Sequence, residues 1–412
     1  MQPTRQLFTA LAAILLTAAT SLGAQQATMR TLANEPGTWR PWTCGSLSHN
    51  DLKTYGLTLS DVNAFKVRLR QIAEIFRSSP VWNPPVGVDP SLSGSLFMPW
   101  TASPAARKNL PIAGTIMMGS FDHYEVIRGD NEPRERYVGG ETSHIMIDVN
   151  MLPKGGGVNM LGDREGEFYE EPARTADIGG FPTYGDVLIM AKNGRPVWTP
   201  VSRERFLRAF IAKRRPEAAN AERYIADQQR KYEAFVAPDA YAARQAKYKA
   251  AVDRMAAKGA AAAEHERRYW ERDEADTLAL LKRGASRDPE VSVFAGVIAG
   301  LKAAEEQLAA MSPADRSGPA CLLEDTRDPT KSGLVPMGTP RCKPLVGKNP
   351  NFFDPSLPRS VPQIIVVQRF RTLEETWKKG RSDENNGSLD LWTTYEVFYR
   401  TDWQKVADHI GR

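Results

Sequence analysis

The chain contains 412 residues, of which 42% are hydrophobic, and its 54 Lys and Arg residues outnumber its 49 Asp and Glu residues. A composition of this kind excludes collagen-like, intrinsically disordered and disulfide-framework proteins. It is typical of a soluble globular protein, and the chain is long enough to bury a core in one large domain or in two ordinary ones.

The first 24 residues have the features of a secretory signal peptide. Arg5 gives a positive start, residues 7–19 form a short apolar segment, and small residues precede a cleavage site after Ala24. An uncleaved membrane anchor is the alternative, but an apolar stretch of about 13 residues is too short to span ~30 Å of hydrocarbon. We therefore expect an exported chain, periplasmic or secreted, whose mature form has no transmembrane span.

Export affects how the three cysteines are interpreted. An oxidising compartment allows Cys321 and Cys342 to form a disulfide across a loop rich in Pro and Gly, which would stabilise the fold by roughly 3 kcal/mol. Cys44 is then left over. It is a buried thiol, an alternative disulfide partner or a nucleophile assisted by His49, although no cysteine-protease signature surrounds it.

The N-terminal part of the chain is predicted to contain one helix followed by strands. Thr58 or Ser60 can cap a helix over residues 60–76, which carries apolar side chains at helical spacing: Val62, Phe65, Leu69, Ile72 and Phe76. Frequent prolines predict irregular structure for most of residues 80–111. Alternating or continuous apolar runs then predict strands at 112–118, 121–127 and 141–151.

Residues 186–201 are predicted to form a β-hairpin. Asn193 and Gly194 tolerate the positive φ angles of a two-residue type I′ turn between two apolar runs. In this hairpin Pro196 and Pro200 place their missing N–H groups on the outer side, away from the partner strand. The second strand should therefore lie at the edge of a sheet.

The pattern from residue 202 to residue 311 is helical. Proline and glycine residues divide it into about five predicted helices, with breaks at Pro216, Pro238, Gly259, Gly284 and Pro289. Residues 203–283 contain 19 Lys and Arg residues against 13 Asp and Glu residues, a net charge of +6. The positive charge of the protein is therefore concentrated in this helical segment.

The C-terminal part is predicted to return to β-structure. Residues 312–362 are rich in proline, strands are predicted at 363–370 and 391–399, and Thr401 is a candidate cap for a short final helix.

Strands are thus predicted on both sides of the helical segment, and we expect an α+β fold with a mixed or antiparallel sheet built from N- and C-terminal strands. Residues 25–201 and 312–412 would form this α+β domain and residues 202–311 a largely helical insertion; two separate domains are the alternative.

The sequence lacks the common catalytic motifs, which include the G-x-S-x-G elbow, the Walker loop, H-E-x-x-H, Cys or His pairs at zinc spacing and the dinucleotide fingerprint. The best catalytic candidates are His123, His144 and Asp148, and Glu125 joins them as a potential metal ligand. They alternate on two predicted strands, so a suitable register would bring two imidazoles and two carboxylates together. A solvated polar sheet face is the alternative, and no cofactor is specified.

Basic residues of the helical segment are the candidate binding residues: Lys213, Arg214, Arg215, Arg267 and Arg268. With tyrosines and Trp270 nearby, they could hold an anionic polymer of the cell envelope or another periplasmic protein. Export argues against nucleic acid as the partner. The alternative is a solvated helix face with ion pairs between successive turns.

These features favour an exported, non-catalytic binding or envelope-associated protein, whose basic helical insertion contacts an anionic or protein partner. The reason is that helices with thin apolar faces leave surface available for a partner. The alternative is a hydrolase, possibly metal-dependent, that uses the His123 and His144 region.

Overall fold

The computed structural model describes residues 28–99, 108–127, 135–139, 145–156, 161, 168–192, 194–323, 333–368 and 389–412. The predicted signal peptide, His144 and Asn193 lie outside these residues. Helices and a many-stranded sheet are both present, so the predicted α+β class is confirmed. No helix in the described part of the chain is long and apolar enough to cross a membrane.

The helices of the described residues are α1 His49–Tyr55, α2 Leu59–Arg77, α3 Arg203–Val236, α4 Pro238–Ala256, α5 Ala260–Ala285, α6 Val293–Ala310, α7 Pro313–Ser317, α8 Leu389–Arg400 and α9 Trp403–Ala407. The strands are β1 Thr28–Thr31, β2 Thr43–Cys44, β3 Val88–Phe97, β4 Ala113–Ile127, β5 Glu135–Gly139, β6 Ile145–Val149, β7 Tyr169–Glu170, β8 Arg174–Ile178, β9 Phe181–Tyr184, β10 Val187–Ala191, β11 Trp198–Pro200, β12 Cys321–Leu323, β13 Leu334–Val335, β14 Cys342–Lys348 and β15 Ile364–Gln368.

The chain divides into two compact units, of which unit 1 contains residues 1–152, 174–194 and 353–412. Its ten-stranded sheet has the order β2-β3-β4-β6-β15-β10-β9-β8, and β1 and β5 also pair with β4. All pairs are antiparallel except β2 with β3. The C-terminal strand β15 lies between two N-terminal strands, which confirms that both ends of the chain build one sheet.

Helix α2 packs its apolar face into the core of unit 1. The predicted face is buried, and Thr58 rather than Ser60 is the N-cap: its side chain accepts from the N–H of Asp61, and Asp61 accepts from the N–H of Thr58. The same core contains Ile116, Ile147, Ile365, Phe398 and Trp403 from other elements. The sheet is thus covered on one face by α2 and the C-terminal helices.

Two predictions for unit 1 are wrong. The segment predicted as a strand at 391–399 is helix α8, and the final helix is capped by Asp402 rather than Thr401. In α8 the buried residues Leu391, Thr394, Tyr395 and Phe398 follow the spacing of a helical face, so packing outweighs the strand preference of Val, Thr and aromatic residues.

The proline-rich segment 80–111 also contains more regular structure than predicted, because residues 88–97 form strand β3. Its serines alternate with buried Leu92 and Leu96, and Pro90 is accommodated within the strand. Strand β4 joins the two strands predicted at 112–118 and 121–127 into one of 15 residues.

Unit 2 contains residues 153–173 and 195–352. Its five-stranded sheet has the order β11-β14-β12-β13, with β7 also paired to β14. The predicted disulfide between Cys321 and Cys342 is formed and joins β12 to β14, with 5.6 Å between the Cα atoms. The helices predicted at 202–311 belong to this unit, which in addition includes these short strands.

The predicted hairpin at 186–201 is wrong. Strand β10 pairs with β15 along its whole length and with β9 at residues 187–188, and not with the strand that follows it. That strand, β11, pairs with β14 in unit 2. It lies at the end of the strand order, as its prolines predicted, and Pro200 is tolerated there.

The helical region of unit 2 contains four long helices rather than about five. Pro216 lies inside the 34-residue helix α3 without ending it, and α6 begins after Ser292, not at Asp288. Helix α3 packs against α6 and α5, and its contact with α6 includes the stacked rings of Tyr224 and Phe294. Buried residues on both sides of the proline hold α3 in place, among them Phe206, Phe210, Ala221 and Ile225.

Candidate functional site

His123 lies on β4, and its partner is a carboxylate that the sequence did not point to. Nε2 of His123 lies 2.9 Å from Oδ1 of Asp89 on β3, and the two side chains are only 12% and 16% exposed. The backbone N–H of Thr38 donates to the same oxygen at 2.7 Å. An imidazole held by a carboxylate in this way can accept or donate a proton. The irregular structure predicted around Asp89 concealed this pair.

Glu125 follows on the same face of β4. It is buried, and in the strand register it stands opposite Arg30 of β1 and Arg136 of β5. Arg136 also forms an ion pair with Glu35 at 3.1 Å. The register thus gives Glu125 an arginine as its cross-strand neighbour on each side, and oppositely charged cross-strand pairs stabilise a sheet.

The structure does not bring Asp148 to His123. Asp148 stands opposite Thr115 of β4, and the hydroxyl group of Thr115 donates a hydrogen bond of 2.5 Å to the Asp148 carboxylate. Thr115 and His123 are eight residues apart, which is about 27 Å along an extended strand. Burial raises the pKa of Asp148, whereas hydrogen bonds from Thr115 and Gln368 lower it.

His144, the fourth member of the predicted set, lies outside the described residues. Across the parts of the chain that are described, no three His, Cys, Asp or Glu side chains form a group able to hold a metal ion. The predicted constellation is therefore represented by His123 and Glu125 on one strand and by Asp148 at a distance from them.

Cys44 on β2 is a free, half-buried cysteine. Its thiol donates weakly to the carbonyl of Gly45 at 3.4 Å. Burial raises the pKa of the Cys44 thiol, and the positive charge of Lys66 opposes this. A raised thiol pKa disfavours the thiolate, which is the form that acts as a nucleophile.

The basic residues 213–215 contact their own chain. Lys213 donates to the carbonyl oxygen of Leu161 at 2.8 Å, Arg214 pairs with Glu217, and Arg215 pairs with Glu305 at 3.0 Å. Arg214 also lies over the ring of Phe210, with 5.2 Å between Cζ and the ring centroid, and its side chain is only 11% exposed. These groups contribute to packing within unit 2.

The second basic pair, Arg267 and Arg268 on α5, has carboxylate partners as well. Arg267 contacts Glu264 at 2.6 Å and Glu271 at 2.7 Å, and Arg268 contacts Glu264 at 2.7 Å. Most of these pairs connect successive turns of one helix, as in the alternative interpretation of the sequence. All five candidate binding residues are therefore engaged within the chain.

A cleft in unit 2 brings together residues from the end of α3 and from α4 and α5. Its volume is about 470 Å³, and four aromatic side chains and four charged ones contribute to its lining, which we call the aromatic cleft: Phe235, Tyr241, Arg244, Gln245, Tyr248, Trp270, Glu271, Asp273, Glu274, Ala275, Thr277 and Leu278. Tyr241, Tyr248 and Trp270 belong to helix faces that carry few apolar residues, whereas no feature of the sequence pointed to Phe235. Their convergence depends on the pairing of α4 with α5, which the sequence does not specify.

Arg244 is the central charged group of the aromatic cleft. Its guanidinium lies over the ring of Phe235, with Cζ 3.7 Å from the centroid, and 5.8 Å from the centroid of Tyr241. It contacts Glu274 at 3.3 Å, and Gln245 donates to the other oxygen of that carboxylate at 3.0 Å. Nε of Arg244 is buried and has no hydrogen-bond partner within the described residues.

Trp270 and Tyr248 form a second aromatic pair, with their ring centroids 6.4 Å apart. The indole N–H of Trp270 donates to Glu266 at 2.9 Å, which fixes the ring. Asp273 lines the cleft without an ion pair or hydrogen bond to any described residue. Three carboxylates and one guanidinium give the lining a formal charge of −2.

Asp122 is a buried carboxyl group on β4, next to the start of α8. Burial and the nearby carboxylate of Asp390 raise the pKa of Asp122 to about 7, and hydrogen bonds from the backbone N–H groups of Asp390 and Leu389 only partly oppose this. Oδ1 of Asp122 accepts no hydrogen bond from the part of the chain that the structure describes. This carboxyl group can therefore change its charge near neutral pH.

Two places in the molecule thus combine groups capable of recognition or chemistry: the aromatic cleft of unit 2, and the pair of His123 and Asp89 in unit 1. The cleft offers ring faces and carboxylates to a ligand, and the pair offers a proton acceptor. No family model, no curated protein and no solved structure matches the chain.

Proposed function

We propose that this protein is an exported binding protein that holds a small ligand in the aromatic cleft of unit 2. The single observation that carries the proposal is the cleft itself: about 470 Å³ of space lined by four aromatic side chains and a few polar groups. Ligand sites of proteins have volumes of roughly 300–1,000 Å³ and the same kind of lining.

Export is supported by two features of the chain. The disulfide between Cys321 and Cys342 belongs to an oxidising compartment, such as the periplasm or the exterior of the cell. The first 24 residues have the sequence pattern of a signal peptide. We propose that the protein meets its ligand outside the cytoplasm.

Native mass spectrometry tests ligand binding. The mature protein is incubated with the small-molecule fraction of a cell-envelope extract, and its mass is compared with that of Trp270→Leu treated in the same way. We expect the unaltered protein to retain an adduct that the variant loses, because Trp270 supplies a wall of the cleft.

Tyr269→Leu is the matched control, since Tyr269 is the neighbouring residue on α5, is 57% exposed and does not line the cleft. This variant should keep the adduct. Equal adducts in all three proteins, or none in the unaltered protein, would contradict the proposal.

Binding of an anionic envelope component or another protein by the basic residues stays a proposal with less support. Each of the five residues already contacts a group of its own chain, and four of them are paired with carboxylates. A partner would have to compete with those contacts.

A second candidate function is acid–base catalysis of a hydrolytic reaction by His123. The observation that favours it is the 2.9 Å contact with Asp89, which orients the imidazole. The hydrolysis of p-nitrophenyl acetate should slow by about 100-fold in His123→Gln, the scale of a general base. His409→Gln is the control, and equal rates in all three proteins would exclude this candidate.

A further inference from the structure

We infer that the aromatic cleft selects an organic cation, which is an ammonium or guanidinium group carried on an apolar body. This inference rests on the proposed function, and it adds the chemical class of the ligand. It follows from three features of the cleft: the faces of its aromatic rings, the negative formal charge of its lining, and the guanidinium of Arg244, which already lies over one of the rings.

The first step concerns the charge of the lining. Glu271, Asp273 and Glu274 outnumber the one guanidinium of the lining, which gives the lining a formal charge of −2. Arg267, outside the lining, pairs with Glu271, so the carboxylate that a cation meets uncompensated is Asp273. Glu271 and Glu274 have arginine partners at 2.7 and 3.3 Å. Asp273 has no such partner among the described residues, so its charge is available to a ligand.

The second step concerns the ring faces. Aromatic rings carry negative potential on their faces and attract cations within about 6 Å of the centroid. The cleft already contains such a contact, because the guanidinium of Arg244 lies 3.7 Å from the ring centroid of Phe235. Trp270 and Tyr248 supply further rings, and tryptophan is the aromatic residue that forms the strongest cation–π interactions.

An anion fits the same space poorly. The only positive group of the lining, Arg244, is matched by Glu274, and the hydrogen bond from Gln245 holds that carboxylate in place. A bound anion would therefore lie beside Asp273 and Glu271 without a free positive partner. It would also face aromatic rings whose quadrupoles repel negative charge.

Three probes that share one skeleton test the inference: 2-phenylethylamine, 2-phenylethanol and 3-phenylpropanoate, which are a cation, a neutral molecule and an anion. Their affinities are measured with the full mature chain by titrating the indole N–H signal of Trp270 in the NMR spectrum. We expect the amine to bind at least about tenfold more tightly than the alcohol, and the carboxylate to bind most weakly.

Two variants of α5 separate charge from shape. Asp273→Asn should weaken the amine by about fivefold or more and leave the alcohol unchanged, because it removes one negative charge from the lining. Asp276→Asn lies on the same helix outside the lining and should change neither. Trp270→Leu, followed by calorimetry instead of its own signal, should weaken all three probes.

The outcomes distinguish the inference from the proposed function. If the alcohol or the carboxylate binds as tightly as the amine and Trp270→Leu still weakens it, the cation selectivity is wrong and the binding function stands. If no probe shows binding that depends on Trp270, both are wrong. If the amine is preferred and Asp273→Asn removes the preference, both are supported.

Discussion

At the scale of single residues, the protonation of Asp122 is linked to folding. Its pKa is about 7 in the folded chain, well above the value near 4 of an exposed aspartate, because the carboxyl group is buried beside Asp390. Between these two pH values the folded chain binds a proton that the unfolded chain has released. The contribution of this group to stability is therefore fully present at low pH and is lost as the pH rises through about 7.

The change Asp122→Asn tests this linkage. The variant carries an uncharged group of the same shape, so it should be more stable than the unaltered protein by up to about 4 kcal/mol at pH 8 and by only about 1–2 kcal/mol at pH 5, about one pH unit above the unfolded pKa. Urea unfolding at both pH values measures the difference. Asp186→Asn, a change in an exposed turn, is the control and should keep the original pH dependence.

One outcome would contradict the assignment of this pH-dependent stability to Asp122. If Asp122→Asn loses stability from pH 5 to pH 8 as steeply as the unaltered protein, the loss arises from other groups. Ser120 hydrogen-bonds to the hydroxyl groups of Thr393 and Thr394 in α8, and none of these three groups titrates in this range. The charged group that acts on Asp122 is the carboxylate of Asp390.

At the scale of elements, tertiary packing keeps α3 helical although it contains a proline, a residue that usually ends a helix. Pro216 has no N–H for the carbonyl of Ala212 and its ring disfavours the preceding turn, so the sequence predicted a break. The helix continues because Phe210 and Ile211 before the proline and Ala218 after it are all buried. The proline itself is exposed, so water can bond to the released carbonyl.

The change Pro216→Ala should therefore stabilise unit 2. Alanine restores the N–H and removes the clash of the ring, and we expect a gain of about 1–3 kcal/mol, measured by urea unfolding. Pro238→Ala is the matched control, because Pro238 occupies the first turn of α4, where proline costs little. An equal effect of both substitutions would show that the helix interior places no strain on Pro216.

The parts of the fold that the sequence predicted are those with strong local periodicity. Helix α2 was recognised from its apolar face and its capping residue, and β15 from its continuous apolar run. Helix α8 was mistaken for a strand because Thr, Tyr, Val and Phe favour strands, and only burial against the sheet reveals its helical face.

The candidate sites depend on contacts between distant residues, which local patterns do not encode. Asp89 and His123 meet because β3 and β4 pair in one particular register, and the sequence does not specify that register. The cleft needs Tyr248 and Trp270 on two helices that pack side by side. The sequence contains these residues, but it is compatible with more than one strand register and more than one helix pairing.

At the scale of the whole molecule, the disulfide belongs to one unit only. Cys321 and Cys342 both lie in unit 2 and connect adjacent strands of its five-stranded sheet. By closing a loop in the unfolded chain, the bond stabilises the segment that contains it, by roughly 3 kcal/mol. The ten-stranded sheet of unit 1 contains neither cysteine.

Removal of the disulfide by Cys321→Ala with Cys342→Ala should therefore act on unit 2 alone. Amide hydrogen exchange, followed by mass spectrometry, should accelerate by about 100-fold in β12 and β14, the exchange equivalent of that stabilisation, while β4 and β15 keep their protection. Cys44→Ala is the control and should leave β12 and β14 unchanged, because Cys44 is a free cysteine of unit 1. Equal acceleration in both sheets would mean that the two units unfold as one cooperative structure, and the division into compact units would then have no counterpart in stability.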